Sequence, residues 1–288
     1  MKTGVISTDS VFHDPEFPVS VRRVVRHSPH RLHRHDFHEL VLILDGKGRH
    51  RTANDAYPIS AGDVFVIMGD IAHGYADTDR MALVNVLFLP EALALQASDL
   101  GDVPGYHTLF TVEPQLRGRS RLRARLRLTP EQLAVALPIV TGLEEELARR
   151  GPGYRFMART HLMHLIGFLS RCYSQHKVGS EKPLLGLGEV LSYIEQHYDR
   201  PVTIADLTRM AAMSESTFMR TFRRVMGCSP IEHLIHVRIA RASELLTRTD
   251  MRITEIAFAC GFNDANYFSR QFRRVTGRSP RQFRRDAD

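Results

Sequence analysis

A block near the C-terminal end of this chain occurs twice, and the duplication constrains everything that the last third can fold into. Phe218, Arg220 to Val225 (RTFRRV), Gly227 and Ser229-Pro230 return fifty positions later as Phe268, Arg270 to Val275 (RQFRRV), Gly277 and Ser279-Pro280. Agreement of that density marks a repeated supersecondary unit. Upstream of each block stands a shorter helical pattern, Ile204 to Met213 in the first copy and Ile253 to Phe262 in the second. Here the offset is forty-nine, so the second turn carries one extra residue.

Each copy therefore reads as a short helix, a tight turn around a small residue (Ala212 or Gly261), an N-cap (Ser214 or Asp264) and a longer helix ending at Gly227 or Gly277. That is the sequence form of a helix-turn-helix. In the longer helices Phe218 with Phe222, and Phe268 with Phe272, stand four apart, which turns one face inward and the residues between them outward. Near the start of the exposed face, Ser216, Met219 and Arg220 correspond to Asn266, Ser269 and Arg270, and these are the base-reading candidates. Arginine bonds guanine bidentately and asparagine bonds adenine, whereas Met219 is limited to a thymine methyl or to packing. Arg223, Arg224, Arg273 and Arg274 lie further along, where phosphate contacts set register without reading sequence. Between the copies, Pro230 to about Leu246 reads as one helix with Ile231, Leu234, Ile235, Ala242, Leu245 and Leu246 inward. At about 1.5 Å per residue it spans on the order of 25 Å, suited to holding two recognition helices in successive major grooves.

The second copy, GFNDANYFSRQFRRVTGRSPRQFR from Gly261 to Arg284, resembles the signature of the AraC/XylS transcription regulators. The resemblance covers about Leu184 to Arg285. It implies an all-helical domain of two helix-turn-helix units that binds promoter DNA and positions RNA polymerase. It also offers Asp264 for a polymerase contact, beside that residue's simpler role as a helix cap.

The N-terminal half has a different grammar. From about Val19 to Phe88, β-branched segments alternate with turn residues, such as Glu39 to Leu44 before Asp45-Gly46 and Val64 to Met68 before Gly69-Asp70. An antiparallel barrel or sandwich is expected. Within it, His33, His35, Glu39 and Gly46 have the spacing H-x-H-x3-E-x6-G, similar to the first cupin motif, and Pro58, Gly62-Asp63 and His73 resemble the second. Alternation on a strand points His33 and His35 to one face. Three readings of the cluster follow: a divalent-metal site for catalysis, a metal-free pocket that hydrogen-bonds a small ligand, and structural histidines at the rim. Fusion to a DNA reader favours ligand sensing, with no enzymatic activity and no required cofactor. The metal option rests on His33, His35, Glu39 and His73. The stretch from His33 to Glu91 also resembles the sensor half of the L-rhamnose regulators of the same family, which implies a sugar effector with His33, His35, Glu39, His73 and Tyr75 as pocket residues.

Between these regions, Gly101 to Arg127 reads as irregular and ends in arginines at every second position, Arg117, Arg119, Arg121, Arg123, Arg125 and Arg127. Such a run is expected to be a solvated connector. Thr129, Pro130 and Gln132 then form a capping box with proline at the first helical position. A second helix follows from about Tyr154 to His176, with Phe156, His161, Leu162, Leu165, Phe168 and Leu169 as its apolar stripe. A hairpin of this size commonly serves as a dimer interface. The polar KVGSEKP segment, Lys177 to Pro183, marks the boundary.

The expected architecture is α+β: a cupin-like β-barrel and connector over 1–128, a hairpin over 129–177, a linker over 178–183 and the two-unit DNA-binding domain over 184–288. With 39 Lys and Arg against 32 Asp and Glu, the formal charge of +7 favours a polyanionic partner. No apolar run approaches a bilayer span and no export signal stands at the start, so a cytoplasmic, non-membrane protein is expected. Cys172, Cys228 and Cys260 are far apart and are expected as buried thiols. The functional expectation is a homodimeric activator that binds double-stranded promoter DNA, a sugar effector and RNA polymerase. A metal-dependent cupin enzyme fused to a DNA reader and a ligand-independent DNA-binding regulator are the rivals.

Overall fold

The computed structural model of the chain describes residues 4–93, 99–117, 125–175 and 182–286. The chain forms two compact units, Met1–Gly188 and Glu189–Asp288. The division falls inside helix α5 (Lys182–Gln196), and most of the expected linker over 178–183 lies outside the described residues. Among the described residues no helix is long and apolar enough to cross a membrane.

The first unit is built around two long antiparallel strands, β4 (His38–Thr52) and β7 (His73–Phe88), paired from His38↔Phe88 to Thr52↔His73. Strands β5 (Ala56–Ser60) and β6 (Asp63–Ile67) pair with β4, while β2 (Val19–Val24) and β3 (His30–His35) pair with β7. The edges are β1 (Gly4–Ile6) beside β3 and β8 (Leu126–Arg127) beside β6. The pairing path β1-β3-β7-β4-β6-β8 is open, so the expected closed barrel is realised as a bent, open roll.

Alternation along the strands serves two cores. Leu40, Leu42, Val64, Val66, Val84 and Val86 face outward and pack with Ile139, Val140, Leu143, Leu162, Leu165 and Leu169 of helices α3 (Pro130–Arg149) and α4 (Tyr154–Gln175). Val41, Ile43, Tyr57, Ile59, Phe65, Ile67, Tyr75, Met81 and Leu83 face the interior. Asp45-Gly46, expected as a turn that ends a strand, instead lies inside β4. The register shifts there in three steps between Ile43 and Arg49. Gly46 takes φ +70°, and a Cβ on it would meet the Arg80 carbonyl at 2.3 Å, so only glycine permits this bulge.

Where it is described, over 101–117 and 125–127, the segment expected to be an irregular, solvated connector is largely helical and in good part buried. A 3-10 turn (Asp99–Asp102), helix α1 (Pro104–His107), a π-type turn (Thr108–Val112) and helix α2 (Glu113–Arg117) follow one another. Arg117 is 1% exposed and ion-paired to the fully buried Glu113 at 2.9 Å. Its other amino group donates to the Tyr57 hydroxyl, and the guanidinium lies over the Phe65 ring at 5.1 Å. Arg125 and Arg127 both grip the buried Asp63, at 2.7 and 3.1 Å, which holds β8 to the roll. Arg119, Arg121 and Arg123 lie outside the described residues.

The hairpin begins with the expected capping box at Thr129 and Gln132. Along α4 the stripe is narrower than the sequence suggests: Leu162, Leu165 and Leu169 are buried, but Phe156 is 74% exposed.

In the second unit the repeat folds as the sequence specifies. Helices α6 (Ile204–Met210) and α7 (Glu215–Met226) form one helix-turn-helix, and α9 (Ile253–Ala259) and α10 (Ala265–Thr276) form the other. Ser214 and Asp264 cap the longer helices, and Gly227 and Gly277 end them at φ +75° and +77°. Helix α8 (Pro230–Arg248) separates the copies and α11 (Pro280–Arg285) closes the unit. Leu234, Ala242 and Leu246 of α8 are buried as expected, together with Val237 and Ile239. Ile231, expected inward, is 40% exposed, and Cys228 is only half-buried.

Candidate functional site

The roll interior gathers the polar residues that its hydrophobic lining leaves room for. His33 and His35 sit on β3, Glu39 at the start of β4, and His73 and Tyr75 at the start of β7, so three strands deliver one cluster. Ring centroids of His33 and His73 are 4.2 Å apart, and those of His35 and His73 are 5.0 Å apart. Nε2 of His35 lies 3.1 Å and Nε2 of His73 3.2 Å from the same Glu39 Oε2. The His73 contact has the distance of an ion pair without the alignment of a hydrogen bond, so this buried nitrogen keeps no hydrogen-bond partner. A cavity of about 170 Å³ opens beside the cluster, bordered by His27, His33, His35, Glu39, Tyr75 and Asn85 among others.

Burial would raise the Glu39 carboxyl, but the contacts from His35 and His73 outweigh it and hold the group well below the usual carboxylate range. Burial, reinforced by the neighbouring His73, pushes His33 down to about 4. His33 is therefore a neutral imidazole at neutral pH. The Tyr75 hydroxyl is driven well above its ordinary value by burial and by the nearby Glu39 charge. It stays a protonated donor.

The structure brings all five sequence-expected pocket residues together and adds others. His50 is fully buried with neither ring nitrogen hydrogen-bonded, and its ring lies 5.5 Å from Tyr75 and 5.9 Å from His73. Burial first, then His73 and Arg117, keep it neutral. The Tyr75 hydroxyl, Asn85 Oδ1 and His27 Nδ1 are buried and unpartnered as well. Tyr57 and Arg117 line the deeper interior.

On the second unit, Ser216, Arg220, Asn266 and Arg270 are exposed on α7 and α10, while Met219 and Ser269 are half-buried. The Ser269 hydroxyl donates to the Ala265 carbonyl of its own helix at 2.9 Å, which occupies its proton. Arg270 lies over the exposed Tyr267 ring at 5.9 Å. Arg223, Arg224, Arg273 and Arg274 are exposed in the last turns of the two helices, with Arg274 3.7 Å from Glu232. Asp264 accepts from the Tyr267 backbone N–H, the capping role.

The order of the two units agrees with the family models that match the chain. The AraC-like ligand binding domain model matches residues 18–166 and the helix-turn-helix domain model matches residues 207–286. The HTH-type transcriptional activator RhaR of Mannheimia succiniciproducens is 27% identical over 97% of this chain and 96% of its own length. The protein of that name from Escherichia coli K12 is 30% identical over 88% of this chain and 86% of its own. A solved structure, the DNA-binding domain of AdpA in complex with a target DNA, is 34% identical over 35% of this chain and 91% of that chain, at a TM-score of 0.34. The chain belongs to the AraC family and is a ligand-responsive, DNA-binding transcription regulator.

Proposed function

We propose that the effector is a small polyhydroxylated molecule of the L-rhamnose class, bound in the roll cavity by His33, His35, Glu39, His73 and Tyr75, with His27 and Asn85 at its border. The observation that carries this reading is the set of buried polar atoms without partners around the cavity: the Tyr75 hydroxyl, His27 Nδ1 and Asn85 Oδ1. Buried polar groups are otherwise hydrogen-bonded, because leaving one unpaired costs about 1–3 kcal/mol. A sugar ring presents donors and acceptors together and answers all three. The cavity, at about 170 Å³, is smaller than the roughly 300–1,000 Å³ of drug-sized sites, which suits a single ring.

The relatives' name as activators supports activation of transcription, hence a contact with RNA polymerase. The apolar side chains exposed on the hairpin, Val135 of α3 and Phe156 of α4, support homodimerisation through it. The effector then acts by binding two arrangements of the regulator unequally. A thermal-shift panel of monosaccharides on the full chain tests the reading. One sugar is expected to stabilise the first unit, by about 2.7 kcal/mol at a hundred times its dissociation constant, and to change operator affinity. If none stabilises it, or if one binds without altering operator affinity, the proposal fails.

For the DNA face we propose base reading by Ser216, Met219, Arg220, Asn266, Ser269 and Arg270, and phosphate contacts by Arg223, Arg224, Arg273 and Arg274. On an operator selected from random duplexes, Arg220→Ala or Arg270→Ala is expected to cost about 1–3 kcal/mol and to relax preference at one subsite only. Arg273→Ala should weaken all duplexes alike and lower the salt-dependence slope by about one. Fluorescence anisotropy across a salt series separates the two behaviours, and a uniform loss for Arg270→Ala would remove it from the base readers.

A further inference from the structure

We propose that Tyr267 positions Arg270 for base reading, as the last member of a run of ring and guanidinium contacts that begins inside the second unit. Arg238 of α8 donates from Nε to the Tyr198 carbonyl at 2.7 Å and from Nη2 to the Arg200 carbonyl at 2.9 Å, so the backbone fixes its guanidinium. That group lies 5.5 Å from the centroid of the Phe262 ring, which is 2% exposed in the core of the unit. The Phe262 and Tyr267 rings are 6.2 Å apart, inclined at 56°. Asp264 accepts from the Tyr267 backbone N–H, so main chain and ring are both held. Arg270 stands three residues on, with its guanidinium 5.9 Å from the centroid of the Tyr267 ring. Residues three apart are neighbours on a helix surface, and a cation within about 6 Å of a ring centroid is attracted to the ring face.

The duplication supplies the comparison. Thr217 stands where the second copy has Tyr267, and Met213 stands where it has Phe262. The Thr217 hydroxyl accepts from Ser214 at 2.9 Å and belongs to the helix cap. Among the described residues no ring lies within the same reach of Arg220. An exposed arginine carries much rotamer freedom, and docking on a base takes it away. A ring held against the guanidinium removes part of that freedom beforehand, which is preorganisation. The contact uses the face of the guanidinium and leaves its N–H edge for O6 and N7 of guanine. Arg270 is thus presented to its base, whereas Arg220 must be ordered by the DNA. Tyr267 needs no bond of its own to the duplex for this role. The proposal rests on Arg270 being a base reader, and the experiment separates the two claims.

The test measures binding of the full chain, by fluorescence anisotropy, to an operator selected from random duplexes and to each of its single-base-pair variants. Arg270→Ala marks the base pair whose discrimination depends on Arg270. At that base pair Tyr267→Phe, which keeps the ring, should discriminate as the unaltered chain does. Tyr267→Thr, the residue of the first copy, should lower discrimination there by about 2–5-fold and leave the subsite read by Arg220 unchanged. Tyr267→Leu keeps an apolar contact for Phe262 without a ring face and should fall with Tyr267→Thr. Melting of each variant checks folding, and Tyr267→Leu carries the comparison if Tyr267→Thr fails to melt cooperatively. Added to Arg270→Ala, either change should lower discrimination no further, because no guanidinium is left to aim. Equal weakening of all duplexes by Tyr267→Thr overturns the proposal, and so does a loss in Tyr267→Phe as large as in Tyr267→Thr, which would mark a hydroxyl contact to DNA. If Arg270→Ala itself weakens all duplexes alike, the base-reading assignment falls and the positioning role falls with it.

Discussion

Glu113→Ala is expected to destabilise the first unit by about 3–5 kcal/mol, because it strands the Arg117 guanidinium in the protein interior. Neither side chain has measurable exposure, and the pair is held on both sides. Arg117 donates to Tyr57 from the roll interior, and the Tyr173 hydroxyl of α4 donates to the other Glu113 oxygen. The four side chains thus tie the interior of the roll to the helical hairpin. Arg117 cannot escape by losing its proton, since burial is outweighed by the Tyr57 and Glu113 interactions, which raise its pKa further. At about 2–4 °C per kcal/mol for a unit of this size, the first thermal transition should fall by on the order of 10 °C. Glu113→Gln, which keeps both hydrogen-bonding partners, should lose less. The double change Glu113→Leu with Arg117→Met should recover much of the loss, because it removes the charges together. Calorimetry of the full chain decides it: a loss below about 1 kcal/mol for Glu113→Ala would mean that water reaches the pair.

What could be read in the sequence was what local rules dictate. The duplicated helices were legible because caps at Ser214 and Asp264, terminal glycines and phenylalanines four apart act within a few residues of themselves. His33 and His35 were legible because alternation along one strand links them, and Glu39 because the motif spacing carries it to the start of the next strand, where the same alternation applies. That alternation also explains why His50 was missed. Along β4 the interior residues are Glu39, Val41 and Ile43, all odd, but the bulge around Gly46 shifts the phase, so that beyond it Gly48, His50 and Thr52 are buried while Arg49 and Arg51 are exposed. No period-two count can cross an unrecognised bulge. Arg117 was misread for a related reason. A run of arginines reads as solvated, and the only local hint was Glu113 four residues earlier, while Tyr57 stands sixty positions away.

The turns of the two helix-turn-helix units, equivalent by their forty-nine-residue offset, set up opposite responses to one methyl group. Ala212 sits at φ +51° and Gly261 at φ +80°, so both turns use the left-handed region that side chains resist. Ala212 is exposed and its methyl is tolerated there. At Gly261 a Cβ would stand 2.7 Å from the Tyr198 carbonyl oxygen and 2.8 Å from Asp199 backbone atoms, which cannot swing aside as a flexible side chain would. Gly261→Ala should therefore add about 1 kcal/mol of backbone strain to roughly 1–3 kcal/mol of overpacking, lowering the second unit's melting temperature by on the order of 10 °C. Ala212→Gly should instead relieve its strain and, after the greater chain entropy of glycine is set against it, gain about 0.5 kcal/mol. Operator binding adds a second reading, since Gly261→Ala loosens the turn that aims Asn266 and Arg270 while leaving Ser216 and Arg220 in place. Protection of the second subsite should fall before the first in footprinting, and equal loss at both would show that the two units melt as one.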